Sequence, residues 1–159
     1  MTAKKLRAVV IGAGWAGEGH TKALQQQGVE VAAICARQAD VVQKVAAGLG
    51  IPQASTDWRQ TLFDLQPDIV TLATPAGLRG DVVEAAAQLG CHILCDKPLA
   101  ATADEAQRLY KLVEQAGVKH AYAATHRYGP EVLWTAELIA QGAIDAIRQG
   151  RGWSQIPEA

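Results

Sequence analysis

Three glycines at fixed spacing, Gly12-x-Gly14-x-x-Gly17, follow the β-branched run Val9-Val10-Ile11 and open a stretch from Trp15 to Gln27 that reads as a helix. Strand, glycine turn and helix in that order is the context a dinucleotide pyrophosphate needs. Gly12 permits the tight turn, Gly14 lets a pyrophosphate approach the backbone, and Gly17 lets the helix pack close to the strand. The first turn of the helix, with Trp15 and Ala16, offers free N–H groups and the positive end of the helix dipole to the phosphates. Trp15 either covers the pyrophosphate or fills space between the helix and a neighbouring loop. A glycine-rich turn in some other doubly wound protein would look similar, so the strand and helix carry much of the inference.

The end of the second strand bears on cofactor type. NAD sites place an acidic residue about 20 positions beyond the last glycine, on the ribose 2′-hydroxyl. Here Ala36 and Arg37 stand there, and no carboxylate occurs before Asp40. An arginine pairs with a 2′-phosphate and stacks on adenine, so the expectation is NADP(H) in preference to NAD(H). The alternative is that Arg37 is a solvated surface residue.

Ligands of open α/β sheets bind beyond the carboxyl ends of the strands. The other turns at such ends are Thr74-Pro75, Asp96-Lys97-Pro98 and Thr125-His126-Arg127. Lys97 closes an apparently buried strand, where partial desolvation can lower an amine's pKa enough for proton transfer near neutrality. Taken bare, a lysine beside an aspartate is more often a surface ion pair. His126 is placed to touch a nicotinamide or a substrate. His20 lies on the first helix near the glycine turn, and His92 and His120 begin strands, as structural residues. The Tyr-x-x-x-Lys signature of other NADP oxidoreductases is missing: Glu114, His126 and Val132 stand four residues after Tyr110, Tyr122 and Tyr128.

These residues need a scaffold, and the 159 residues supply about one domain's worth, with 49% hydrophobic residues to build a core. A net charge of −1 gives no reason to expect nucleic acid or an anionic membrane as partner. No stretch is long enough to span a bilayer. Cys35, Cys91 and Cys95 are odd in number and sit on apparent buried strands, which reads as reduced thiols in a cytoplasmic protein. They lack the close partner pairs of a zinc site, so no metal is expected.

The strands are expected at 30–36, 53–55, 69–73, 91–95 and 118–124 after the first. The helices between them are expected at 40–49, 58–64, 80–89 and to about Gln115. Thr56 or Asp57 caps the third helix, and Thr102 with Glu105 reads as a capping box. Strand and helix alternate at least five times, so the fold class is α/β, a doubly wound, mostly parallel sheet. After Pro130 comes a helix at 131–141 carrying Val132, Leu133, Leu138 and Ile139. Residues 144–153 then resemble the start of another strand. The apolar residues there, with Trp134 and Trp153, lack an obvious partner.

Gly12-x-Gly14-x-x-Gly17 with His20, then Thr74-Pro75, then Cys95-Asp96-Lys97-Pro98-Leu99-Ala100 resemble the glucose–fructose oxidoreductase, inositol dehydrogenase and rhizopine-catabolism family (Gfo/Idh/MocA). The stretch from Thr125 to Pro130, with Glu137 to Ile144, resembles the entry to that family's second domain. The resemblance implies a Rossmann domain at 1–124 and an incomplete start of the substrate and oligomerisation domain at 125–159. It implies hydride transfer between a nicotinamide and a hydroxyl or carbonyl carbon of a sugar, cyclitol or similar compound. It also places Lys97 beside the nicotinamide and substrate hydroxyl. Asp96 replaces the family's usual Glu, and Ala76 and Arg79 stand where many relatives carry Asn and His. Relatives are about twice as long, as two sizeable domains require. The expectation is therefore a chain that binds cofactor but turns over poorly alone.

Two rival readings remain at this stage. One is a non-catalytic nucleotide-binding module, which has no need of Lys97. The other is a homo-oligomer in which the helix after Pro130 pairs with a second copy.

Overall fold

The computed structural model describes residues 4–143. β1 (Arg7–Ile11), α1 (Trp15–Gln26), β2 (Glu30–Cys35), α2 (Ala39–Leu49), β3 (Gln53–Ser55) and α3 (Trp58–Leu65) form the first half. β4 (Ile69–Leu72), α4 (Gly80–Gln88), β5 (His92–Asp96), α5 (Ala103–Gln115) and β6 (His120–Ala123) form the second. A short 3₁₀ turn, Ala76–Leu78, separates β4 from α4. The six strands lie in the order β3-β2-β1-β4-β5-β6, and every neighbouring pair is parallel. The order reverses between β1 and β4, and a crevice at that switch point is where such sheets take ligands.

Alternate residues of β1 feed opposite faces, as the strand period demands. Val9 and Ile11 join Val70 and Leu72 in a core completed by Leu62 of α3, Val82 and Val83 of α4, and Leu109 of α5. Val10 joins Ile34 in the other, with Val42 and Ala46 of α2 packed on it. Helices therefore cover both faces, and the doubly wound parallel architecture is the one the β-branched runs imply.

The element ends follow local chemistry. Gly50 closes α2 in the left-handed conformation. Of the two caps proposed for α3, Asp57 serves: its carboxylate accepts the Gln60 N–H at 3.0 Å. Thr102 caps α5 by accepting the Glu105 N–H at 3.2 Å. The Glu105 carboxylate leans over Gly80 of α4, where a Cβ would come within 2.9 Å of it. Cys91, expected as the first residue of β5, lies just before it; its N–H donates to Ala86 at the end of α4.

Beyond Ala123 the chain forms a separate compact unit. It begins with a 3₁₀ turn, Thr125–Tyr128, and continues as α6 (Pro130–Ala140), with proline at the helix start where its missing N–H costs nothing. Val132, Leu133 and Trp134 are exposed on α6, Trp134 to 64%. The strand expected at 144–153, and Trp153 with it, fall outside the described residues. No described helix is long and apolar enough to cross a membrane.

Candidate functional site

The turn between β1 and α1 is built from two glycines that interlock. Gly12 has φ +119°, and a Cβ there would lie 2.6 Å from the Ala73 carbonyl oxygen. A Cβ on Gly17 would lie 1.8 Å from the Gly12 carbonyl oxygen. The helix start is thus pressed onto the turn and onto the end of β4. The Thr21 hydroxyl, donating to the Gly17 carbonyl at 2.9 Å, backs the first turn from within. Gly14 differs from both. A Cβ there would meet nothing within 4 Å, and Gly14 supplies no side-chain cap to α1. The first-turn N–H groups of Trp15, Ala16 and Gly17 have no intrahelical acceptor either. Trp15 is 91% exposed, so it does not fill space between the helix and a loop.

A cleft of about 940 Å³ opens at the switch point. Its walls include Gly12 and Gly14 from the end of β1, Ala36 and Arg37 from the end of β2, and Thr74 and Pro75 from the end of β4. Thr74 Oγ1 is buried without a hydrogen-bond partner. Leaving such a group unpaired costs about 1–3 kcal/mol. At the far end, Arg59 stacks 4.3 Å over the Trp58 ring and pairs with Asp81 of α4 at 2.5 Å. Arg108 pairs with Glu84. Arg37 is exposed and has no ion-pair partner among the described residues, so it is the cleft arginine with its charge uncommitted.

Asp96 and Lys97 lie one strand further out, at the end of β5. Lys97 is exposed, so the described residues do not bury its side chain. Nor does it form a surface ion pair with Asp96 among the described residues. The Asp96 carboxylate instead accepts the backbone N–H of Lys97 at 2.8 Å. His20 on α1 is half-buried, with Nδ1 enclosed and unpartnered. Burial holds its pKa below the usual histidine value, the Asp96 charge works against that shift, and the nearby Arg79 guanidinium adds to it.

The structure thus gathers Gly12, Gly14, Ala36, Arg37, Thr74 and Pro75 around one cleft. Trp15, Ala16 and Gly17 form the helix turn adjoining it. His126 belongs to the second unit, in an exposed 3₁₀ turn. The sequence reading missed the cleft's far wall. Asp57 marks where α3 begins, but the meeting of Arg59 with Asp81 depends on two helices far apart in the chain. In the sequence Arg79 stands out only as a departure from the family's pattern. It is 2% exposed, and its neighbours in sequence do not distinguish it from a surface arginine.

A sequence profile described as an oxidoreductase family with NAD-binding Rossmann fold matches residues 6–124. Levoglucosan dehydrogenase of Pseudarthrobacter phenanthrenivorans is 33% identical over 125 residues, covering 76% of this chain and 32% of that protein. D-xylose 1-dehydrogenase (NADP(+)) 2 of Haloferax volcanii is 39% identical over 127 residues, covering 79% and 39%. The crystal structure of an NAD binding oxidoreductase from Klebsiella pneumoniae superposes with a TM-score of 0.78 at 29% identity, over 89% of this chain and 40% of that one. The chain therefore spans 32% to 40% of the length of these three proteins.

Proposed function

Because this chain belongs to the Gfo/Idh/MocA oxidoreductase family, we propose that its cleft holds a nicotinamide dinucleotide, NADP(H) in preference to NAD(H), for a sugar or cyclitol dehydrogenase. The observation that carries this reading is the interlock of Gly12 with Gly17, which leaves the uncapped first turn of α1 beside a cleft whose uncommitted cation is Arg37.

The residues present fit the cofactor. The space over Gly14 admits a pyrophosphate to the first-turn N–H groups of Trp15, Ala16 and Gly17. Arg37 lies at the end of β2, where a ribose 2′-phosphate would meet a planar donor fork. Thr74 and Pro75 line the cleft at the end of β4. When bound, the cofactor supplies the exchange of a hydride with a hydroxyl-bearing or carbonyl carbon. Lys97 holds or donates the proton at the substrate oxygen, and the Asp96 carboxylate, on the Lys97 N–H, orders that turn. His126 is a second candidate for contact with the nicotinamide or substrate. The unit beginning at Ala124 is the start of a substrate and oligomerisation domain. Relatives are more than twice as long, so the redox chemistry is that of a whole protein to which these residues bring the cofactor half. The three buried, free thiols suit a reducing compartment such as the cytoplasm.

Fluorescence titration of the chain with NADPH and NADH tests the cofactor reading. NADPH binds more tightly, and Arg37→Asp costs about tenfold in NADPH affinity, the scale of one charge-assisted contact at an exposed site. A clear preference for NADH would overturn the NADP assignment. Absence of binding by either would overturn the site.

A further inference from the structure

Arg79 is the most deeply buried charged side chain described in the molecule, 2% exposed. No carboxylate lies within ion-pair distance of it among the described residues. Its guanidinium is instead enclosed by backbone carbonyls. Nε donates to the Thr74 carbonyl at 2.8 Å, and Nη2 also reaches that oxygen. Nη1 donates to the carbonyls of Asp96 and Pro98. Nη2 completes the set at the Lys97 carbonyl, 3.4 Å away. Every donor of the fork is therefore spent on the protein, and Arg79 is not a ligand-binding arginine.

The topology explains why a cation is needed there. β4 and β5 are parallel neighbours with Leu72 opposite Cys95. The turns that follow them leave the sheet side by side, and their carbonyls lose the ladder partners that the strands had. An arginine offers five donors in one rigid plane, whereas a lysine offers a single point with three. A desolvated cation without a counter-ion is a poor source of stability. What it provides is a fixed geometry between two turns.

The two turns are the ones the proposed chemistry needs. Thr74 is a wall of the cleft. Asp96 and Pro98 bracket Lys97, the amine-bearing residue, on both sides. The Lys97 side chain itself is exposed, so its aim depends on its backbone, and that backbone is held at three successive carbonyls by Arg79. Resting on the reading that Lys97 acts beside a dinucleotide in the cleft, we propose that Arg79 is a positioning residue, locking the Lys97 turn to the cofactor wall at Thr74.

The test uses the 159-residue chain with its lysines reductively ¹³C-dimethylated, and Lys97→Arg to assign the Lys97 signal. In the wild type, NADP⁺ shifts that signal. In Arg79→Ala, NADPH affinity falls by about tenfold or more and the Lys97 signal no longer responds to NADP⁺. Affinity for adenosine 2′,5′-bisphosphate, which occupies the Arg37 end alone, stays within about twofold. Millimolar guanidinium restores the NADPH affinity and the Lys97 response. Arg79→Lys keeps the charge and the fold but not the fork, and it reproduces the loss without rescue. Equal losses for NADPH and the bisphosphate, or an unchanged Lys97 response in Arg79→Lys, would overturn the inference while leaving the cofactor site standing. Failure of the wild type to bind NADPH would overturn the cofactor reading itself.

Discussion

His20 is a single side chain whose charge state is set by its burial. It projects from α1 with Nδ1 enclosed, and its surroundings hold it neutral to a lower pH than a free histidine. The charges that act on it, Asp96 and Arg79, are of opposite sign. Its folded pKa lies below the unfolded value of 6.5. As the pH falls through that value the unfolded chain therefore binds a proton that the folded chain does not, and stability drops until the folded pKa is passed. Urea midpoints measured at pH 7 and at progressively lower pH should decline more steeply in the wild type than in His20→Gln. Parallel slopes would show that this histidine is solvated rather than enclosed. Lys97 teaches the complementary lesson. Its type and position point to proton transfer, but among the described residues its side chain is exposed, so any desolvation must come from a bound ligand or from chain outside them.

The β1–α1 junction separates two roles that one glycine motif holds together. Gly17 is required by the protein, because a methyl group there would overlap the Gly12 carbonyl. Gly17→Ala should therefore destabilise the chain by about 1–3 kcal/mol, the usual cost of overpacking, visible in a thermal melt. Gly14→Ala meets no such obstacle. It should leave the melting temperature within about 2–4 °C of wild type, the shift expected for 1 kcal/mol in a chain of this size, while weakening NADPH in titration. If instead Gly14→Ala binds NADPH as the wild type does, the pyrophosphate does not cross that glycine. The same junction shows what linear reading could reach. The strand, the turn and the helix were legible because each depends on residues within a few positions. The far wall of the cleft, Arg59 on Trp58 and against Asp81, was not, because α3 and α4 come side by side on one face of the sheet only after β4 has folded between them.

At the scale of the molecule, three thiols report on the closure of the core. Cys35, Cys91 and Cys95 are all free and buried. Burial pushes the Cys35 thiol up to about 11, and it raises Cys91 and Cys95 as well. The thiolate is the nucleophile, so a disulfide reagent at neutral pH should label none of the three in the folded chain. Full labelling should appear on unfolding in denaturant, followed by absorbance. Rapid reaction of Cys95 under native conditions would show that the turn clamped by Arg79 opens readily. The apolar side chains on α6, Leu133 and Trp134 among them, remain exposed.

Local and periodic features were decided by the amino-acid order alone. The β-branched runs, the glycine spacing, the caps at Asp57 and Thr102 and the regular alternation of strand with helix depend on near neighbours and on burial. They imply a parallel sheet with a phosphate turn at its first strand. Folding settled which strand ends become neighbours. Only the arrangement of β4 beside β5 leaves a ring of carbonyls without ladder partners. That ring turns Arg79 from a loop residue into the buried clamp of the Lys97 turn.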